Sequence, residues 1–183
     1  MKPLAVTGKT TRTYANLQSM ERIFCVRAEF GKFTDHFVKG GYVAVGWFSE
    51  QDLSEVGDRE ELEDIHSSVS PNEAKNALER QHLDQIARFL FEVKGGDFVI
   101  TPSLNTEQIY FGVVQPEPNY YHDETSDACP YMHRKRVIWC SSPVPVKHFS
   151  AAFQNSLHSS LSVFPINQKQ AFLETIENFA VSG

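Results

Sequence analysis

Apolar and polar positions change their period several times along the chain, and each change marks an element. Residues 22–27 place Ile23, Phe24, Cys25 and Val26 in one short apolar run, the composition of a strand. Residues 31–41 turn, punctuated by Gly40 and Gly41, and residues 42–47 form a second strand that ends in Trp47. Asp52 and Asp58 then stand where helix N-caps are expected. Between residues 72 and 93 the spacing becomes three and four. Leu78, Leu83, Ile86, Ala87, Leu90 and Val93 share one face, which predicts a long helix stopped by Gly95 and Gly96. Residues 97–101 and 108–114 return to strand composition. A loop carrying Pro116, Pro118, Tyr120 and Tyr121 leads to a strand at 136–140. Pro143, Pro145 and Pro165 break a helical last third, whose final helix, capped by Asn167, buries Ala171, Phe172, Ile176 and Phe179.

Strand, strand, long helix, further strands, then helices is an α+β order. It predicts a small curled mixed sheet or barrel of five to six strands flanked by helices. Residues 1–21 read as a flexible arm with a short helix near 14–20, and residues 22–183 as a single domain without repeat or linker. Hydrophobic residues at 41% and charged residues at 22% fit a chain that buries a core and exclude wholesale disorder. No apolar run suits a bilayer, the first residues lack a signal-peptide core, and three cysteines make no disulfide framework. The expectation is a cytoplasmic protein with no membrane partner.

A formal net charge of −6 argues against nucleic acid until it is mapped. Residues 1–27 carry net +4, residues 28–127 net −13, and residues 128–173 contain no acid and carry net +5. Eight acids lie between Glu50 and Asp64, and without that stretch the remainder is +1. The chain is polarised, so a basic face built on His133, Arg134, Lys135 and Arg136 remains available for phosphate contact.

Signatures of common chemistry are missing. There is no G-x-S-x-G, P-loop or G-x-G-x-x-G, so no cofactor is expected. Glu92-Val93-Lys94 has a spacing used by metal-dependent nucleases, but it falls at a helix end rather than on a strand. His122, Cys129, His133 and Cys140 lack the close cysteine pair of a structural zinc site, so no metal is expected. Cys25 sits inside an apolar strand, where a thiol is inert packing. Aromatic residues gather where strands meet loops: Phe30, Phe33, Tyr42, Trp47, Phe48, Tyr120 and Tyr121. Trp47 ends a strand just before a polar run, which places it to stack on a flat ligand such as a base.

Residues 22–29 followed by 42–47 resemble the first two strands of the PUA-like superfamily, in particular its YTH and EVE branches. Ala87-Arg88-Phe89-Leu90, Gly96-Asp97-Phe98-Val99 and Phe111-Gly112-Val113-Val114 resemble the EVE sequence of helix, G-D strand and G-x-V strand. With residues 136–139 and 161–164 the run is similar to the specificity domains of Mrr-like and McrBC-like modification-dependent (type IV) restriction enzymes. The resemblance covers residues 22–166. It implies an aromatic cage for a modified base with Trp47 as one wall, joined by Phe30, Phe33, Tyr42, Tyr120 and Tyr121. It also implies base-edge contact from Arg27, Ala28, Glu29 and Asp52.

The function expected is therefore non-catalytic: a reader of a modified, methylated base flipped out of double-stranded DNA, acting as the sensor of a modification-dependent restriction or defence system. A nuclease or NTPase activity would lie on a separate segment or subunit. Two alternatives use the same cavity: a reader of modified RNA, and a small-molecule or nucleotide enzyme built on Glu29, Asp52 or His36.

Overall fold

Successive side chains of a strand point to opposite faces of its sheet, and the first strand shows both faces buried. Phe24 and Val26 enter one apolar core, whereas Ile23 and Cys25 enter another. The computed structural model describes residues 22–69, 76–123 and 128–182. The expected arm at 1–21 and the expected helix start at 72–75 lie outside the described residues.

In chain order the strands are β1 (Ile23–Val26), β2 (Tyr42–Val45), β3 (Phe98–Pro102), β4 (Gln108–Val114), β5 (Tyr120–Tyr121), β6 (His133–Trp139), β7 (Val144–Pro145) and β8 (Val163–Pro165). They form one eight-stranded sheet in the order β2-β6-β4-β3-β1-β8, with β5 added to β6 and β7 to β4. Only β1 and β3 run parallel, with Phe24 opposite Val99; every other described pair is antiparallel. Gly112 lets β4 and β6 pair closely, since a Cβ there would stand 2.6 Å from the Ile138 carbonyl oxygen.

The α+β class is as expected, and the strand count is larger. The additional strands β5, β7 and β8 span two or three residues each, too short for composition to signal, and β7 and β8 contain proline. The sheet is also not a closed barrel. β1 and β2 approach one another without a ladder between them, and β2 and β8 end the path.

Helices α1 (Thr34–Gly40), α2 (Arg59–Val69) and α3 (Ala77–Ala87) cover the first core, and α4 (Ala151–Ser156) and α5 (Lys169–Ser182) the second. Residues expected to form a plain turn thus contain α1, which stops on Gly41 at φ 70°, a conformation that favours glycine. Among the described residues α3 begins at Ala77, where the Asn76 side chain accepts the Leu78 N–H at 3.0 Å and caps it. It runs on into a widened turn, Arg88–Glu92, in which the Val93 N–H donates to the Arg88 carbonyl. Asp58 caps α2 as expected, accepting the Glu61 N–H at 3.0 Å. Asp52 caps no helix; it accepts the Ser54 N–H at 2.9 Å in a local turn. α5 begins at Lys169, past the expected cap Asn167. In the second core Phe149, Phe153 and Phe172 stack, and burying one such ring contributes about 1.5–3 kcal/mol.

Candidate functional site

β2 ends at Val45, and residues 46–50 turn over the edge of the first core. Gly46 lets the Tyr131 ring pack on the backbone there, since a Cβ would overlap its edge. Phe48 holds φ 57°, a left-handed conformation costly for a bulky side chain. Several bonds keep the turn in this shape. The Gln51 N–H donates to the Phe48 carbonyl at 2.9 Å, His133 Nε2 meets the same carbonyl at 3.2 Å, and the Tyr121 hydroxyl donates to the Ser49 carbonyl. The product is a fixed, half-buried Trp47 whose ring stacks on His82 at 5.7 Å between centroids and 30° between planes. Phe48 meets His66 edge-on at 5.4 Å. Glu79 lies between the two histidines, Oε1 3.5 Å from His82 Nδ1 and Oε2 3.6 Å from His66 Nε2.

A second strained turn follows β1. Glu29, Phe30 and Gly31 take φ 45°, 57° and 102° in succession, and a Cβ on Gly31 would fall 2.2 Å from the Pro102 carbonyl oxygen. Phe30 stands 63% exposed, with the Arg27 guanidinium 5.2 Å from its ring centroid. Lys32 Nζ lies 2.8 Å from Glu29 Oε2, and the Tyr131 hydroxyl donates to Glu29 Oε1 at 3.0 Å. These two bonds, Lys32 first, hold the Glu29 carboxyl below the usual carboxylate range. Burial, and then the bond to Glu29, pushes the Tyr131 hydroxyl up to about 12. Phe33 packs edge-on against Tyr131 at 5.2 Å. Tyr131 therefore reaches from Gly46 to Glu29 and ties the two turns together at one end of β1 and β2. Sequence reasoning missed it; the available signal was an aromatic residue two places before the basic cluster.

The other expected site residues lie elsewhere. His133, Arg134 and Lys135 are buried, at 2%, 2% and 6% exposure, and this corrects their assignment to phosphate contact. The strand begins at His133 instead of residue 136, and β2 and β5 flank it on both sides. Arg134 Nε donates to the Tyr131 carbonyl at 2.9 Å, and its guanidinium covers the buried Tyr42 ring at 4.2 Å. Lys135 Nζ donates to the Leu90 carbonyl at 3.4 Å and faces the Phe89 ring. Of the four, Arg136 is exposed, over Tyr120 at 5.1 Å. Tyr42 and Tyr120 are thus partners of arginines rather than walls around Trp47. Arg27 is buried as well: it donates to the Leu157, Ser159 and Leu161 carbonyls and holds that loop, so its guanidinium is not presented to a ligand edge. Ala28 is buried beside it. Asp52 is exposed and held below the usual carboxylate range by the hydroxyl and amide of Ser54.

The residues considered for an enzyme meet different partners: Glu29 meets Lys32 and Tyr131, Asp52 meets Ser54, and His36 lies 5.8 Å from Phe33. Burial pushes the Cys25 thiol up to about 12, the condition of an inert packing group. Among the described residues no group of three or more His, Cys, Asp and Glu side chains is arranged to hold a metal ion, and no helix is long and apolar enough to cross a membrane.

A family model described as "Domain of unknown function (DUF8426)" matches residues 27–167. No curated protein and no solved structure matches the chain.

Proposed function

The chain belongs to the DUF8426 family, and from the two turns it encloses within the matched region we propose that it is a non-catalytic reader of a modified base. The observation that carries the reading is the joined pair of turns: Tyr131 packs on Gly46, next to Trp47 in one turn, and donates to the ionised Glu29, next to the exposed Phe30 in the other. Strained backbone held by surrounding bonds is a feature of ligand sites. Flipping a base out of a duplex costs a few kcal/mol, and stacking on an aromatic ring returns about 1–3 kcal/mol per base. A buried methyl group adds about 0.8 kcal/mol, enough for a modest preference without catalysis.

The fold this reading carries is a PUA-like one of EVE or YTH type, and the biological setting is the sensor of a modification-dependent restriction or defence system acting on DNA. Cleavage or motor activity then resides on another segment or subunit. The burial of His133, Arg134 and Lys135 withdraws three of the four cations expected on phosphates, so in this reading recognition rests on the base. The test is binding of the chain to duplex DNA and RNA oligonucleotides that differ only in base modification. Preference for a methylated DNA base supports the reading, preference for modified RNA reassigns the polymer, and equal affinity for modified and plain strands removes it.

A further inference from the structure

Trp47 does not rest on the apolar core alone. Its ring stacks on His82, whose Nδ1 faces Glu79 Oε1, while the other oxygen of Glu79 faces His66 Nε2. That His66 nitrogen is buried without a hydrogen-bond partner, and its ring meets Phe48 in the same turn as Trp47. The two gaps at Glu79, 3.5 and 3.6 Å, are longer than hydrogen bonds between charged groups, which lie nearer 2.8 Å. We infer that His66, Glu79 and His82 form a proton-sensitive support that sets the position of the Trp47 ring, so that the platform tightens as His82 gains a proton. This rests on the reading of Trp47 as the stacking surface.

A proton on His82 draws Nδ1–H towards the Glu79 carboxylate and turns the ring contact into a cation facing an indole, the aromatic face that attracts cations best. On α3 the facing charge is Glu79 itself, and α2 contributes His66, while Arg59 is taken up by Glu63 and Asp84. β6 contributes His133, which is held by the Phe48 carbonyl in the turn after β2.

Intrinsic fluorescence tests this without a ligand. The emission of the chain minus that of Trp47→Phe isolates Trp47 from the buried Trp139. That difference should fall in one step as the pH is lowered from about 8 to about 5, because a protonated imidazole against the indole quenches it. His82→Gln should abolish the step with the far-ultraviolet circular dichroism retained. Glu79→Gln should move the step to lower pH, which keeps the test open if His82→Gln fails to fold. A flat profile in the unsubstituted chain, or an unchanged step in both variants, overturns the inference. Affinity for a methylated oligonucleotide should be about fivefold higher at the acid end. Loss of base preference with the fluorescence step intact would instead remove the reader function and leave the support standing.

Discussion

Lys135 shows what this fold does to a single residue. A lysine in a central strand has its ammonium carried into the first core, against the Leu90 carbonyl and the Phe89 ring, and burial pulls its pKa down to about 8. The sign follows from linkage: the unfolded lysine keeps its proton to about pH 10.4, whereas the folded one releases it near 8, so stability rises with pH across that window. Lys135→Met keeps the length and removes the charge. It should raise stability at neutral pH by about 1–3 kcal/mol, and the gain should shrink as the pH passes 8, measured by denaturant unfolding of both chains at each pH. A loss of stability at neutral pH would mean that the charge is wanted where it sits. The same residue marks a limit of sequence reading. His133 to Arg136 looked like a solvent-facing cluster because consecutive cations are mostly exposed. Nothing local indicated that the strand begins three residues early and is flanked on both sides.

At the scale of elements, the long-range devices are side chains that capture backbone. β8 is an edge strand of three residues, held by α3 and the widened turn after it: Gln85 Oε1 accepts the N–H groups of Ser162 and Val163 at 2.6 and 3.1 Å, and Arg88 donates to the Val163 carbonyl at 3.0 Å. Gln85→Leu leaves two donors unpaired, and should cost about 2–4 kcal/mol and accelerate hydrogen exchange at residues 162 and 163 first. The apolar period identified α3 and its buried face at Leu83, Ile86 and Ala87, though Leu78, expected on that face, stands 53% exposed, and short apolar runs located β1 to β4 within one or two residues. The two- and three-residue strands escaped because their pairing depends on partners far away in sequence. The candidate site was legible to the same degree. Glu29 and Phe33, from the turn after β1, and Gly46, from the turn after β2, meet Tyr131, and Phe30 and Trp47 are their chain neighbours in those two turns. Tyr42, Tyr120 and Arg27 were drawn to other neighbours by packing that no local spacing encodes.

Across the described residues, three members of the basic cluster are buried while Glu60, Glu61, Glu63 and Asp64 are exposed along α2. Nucleic-acid binding that relies on a stacked base and few phosphates has a shallow salt dependence. The slope of log affinity against log salt should be about −1 to −2, against roughly −4 were all of His133, Arg134, Lys135 and Arg136 on phosphates. Arg136→Glu should weaken modified and plain oligonucleotides equally, as a phosphate contact does.

In the reading proposed above, the Trp47 turn reads the modification. Its most direct test is the ratio of affinities for modified and plain oligonucleotides of one sequence, measured for the chain and for Trp47→Ala. The ratio should exceed one and fall to one in Trp47→Ala, with affinity for the modified strand reduced by about 1–3 kcal/mol. A ratio that survives the substitution contradicts it.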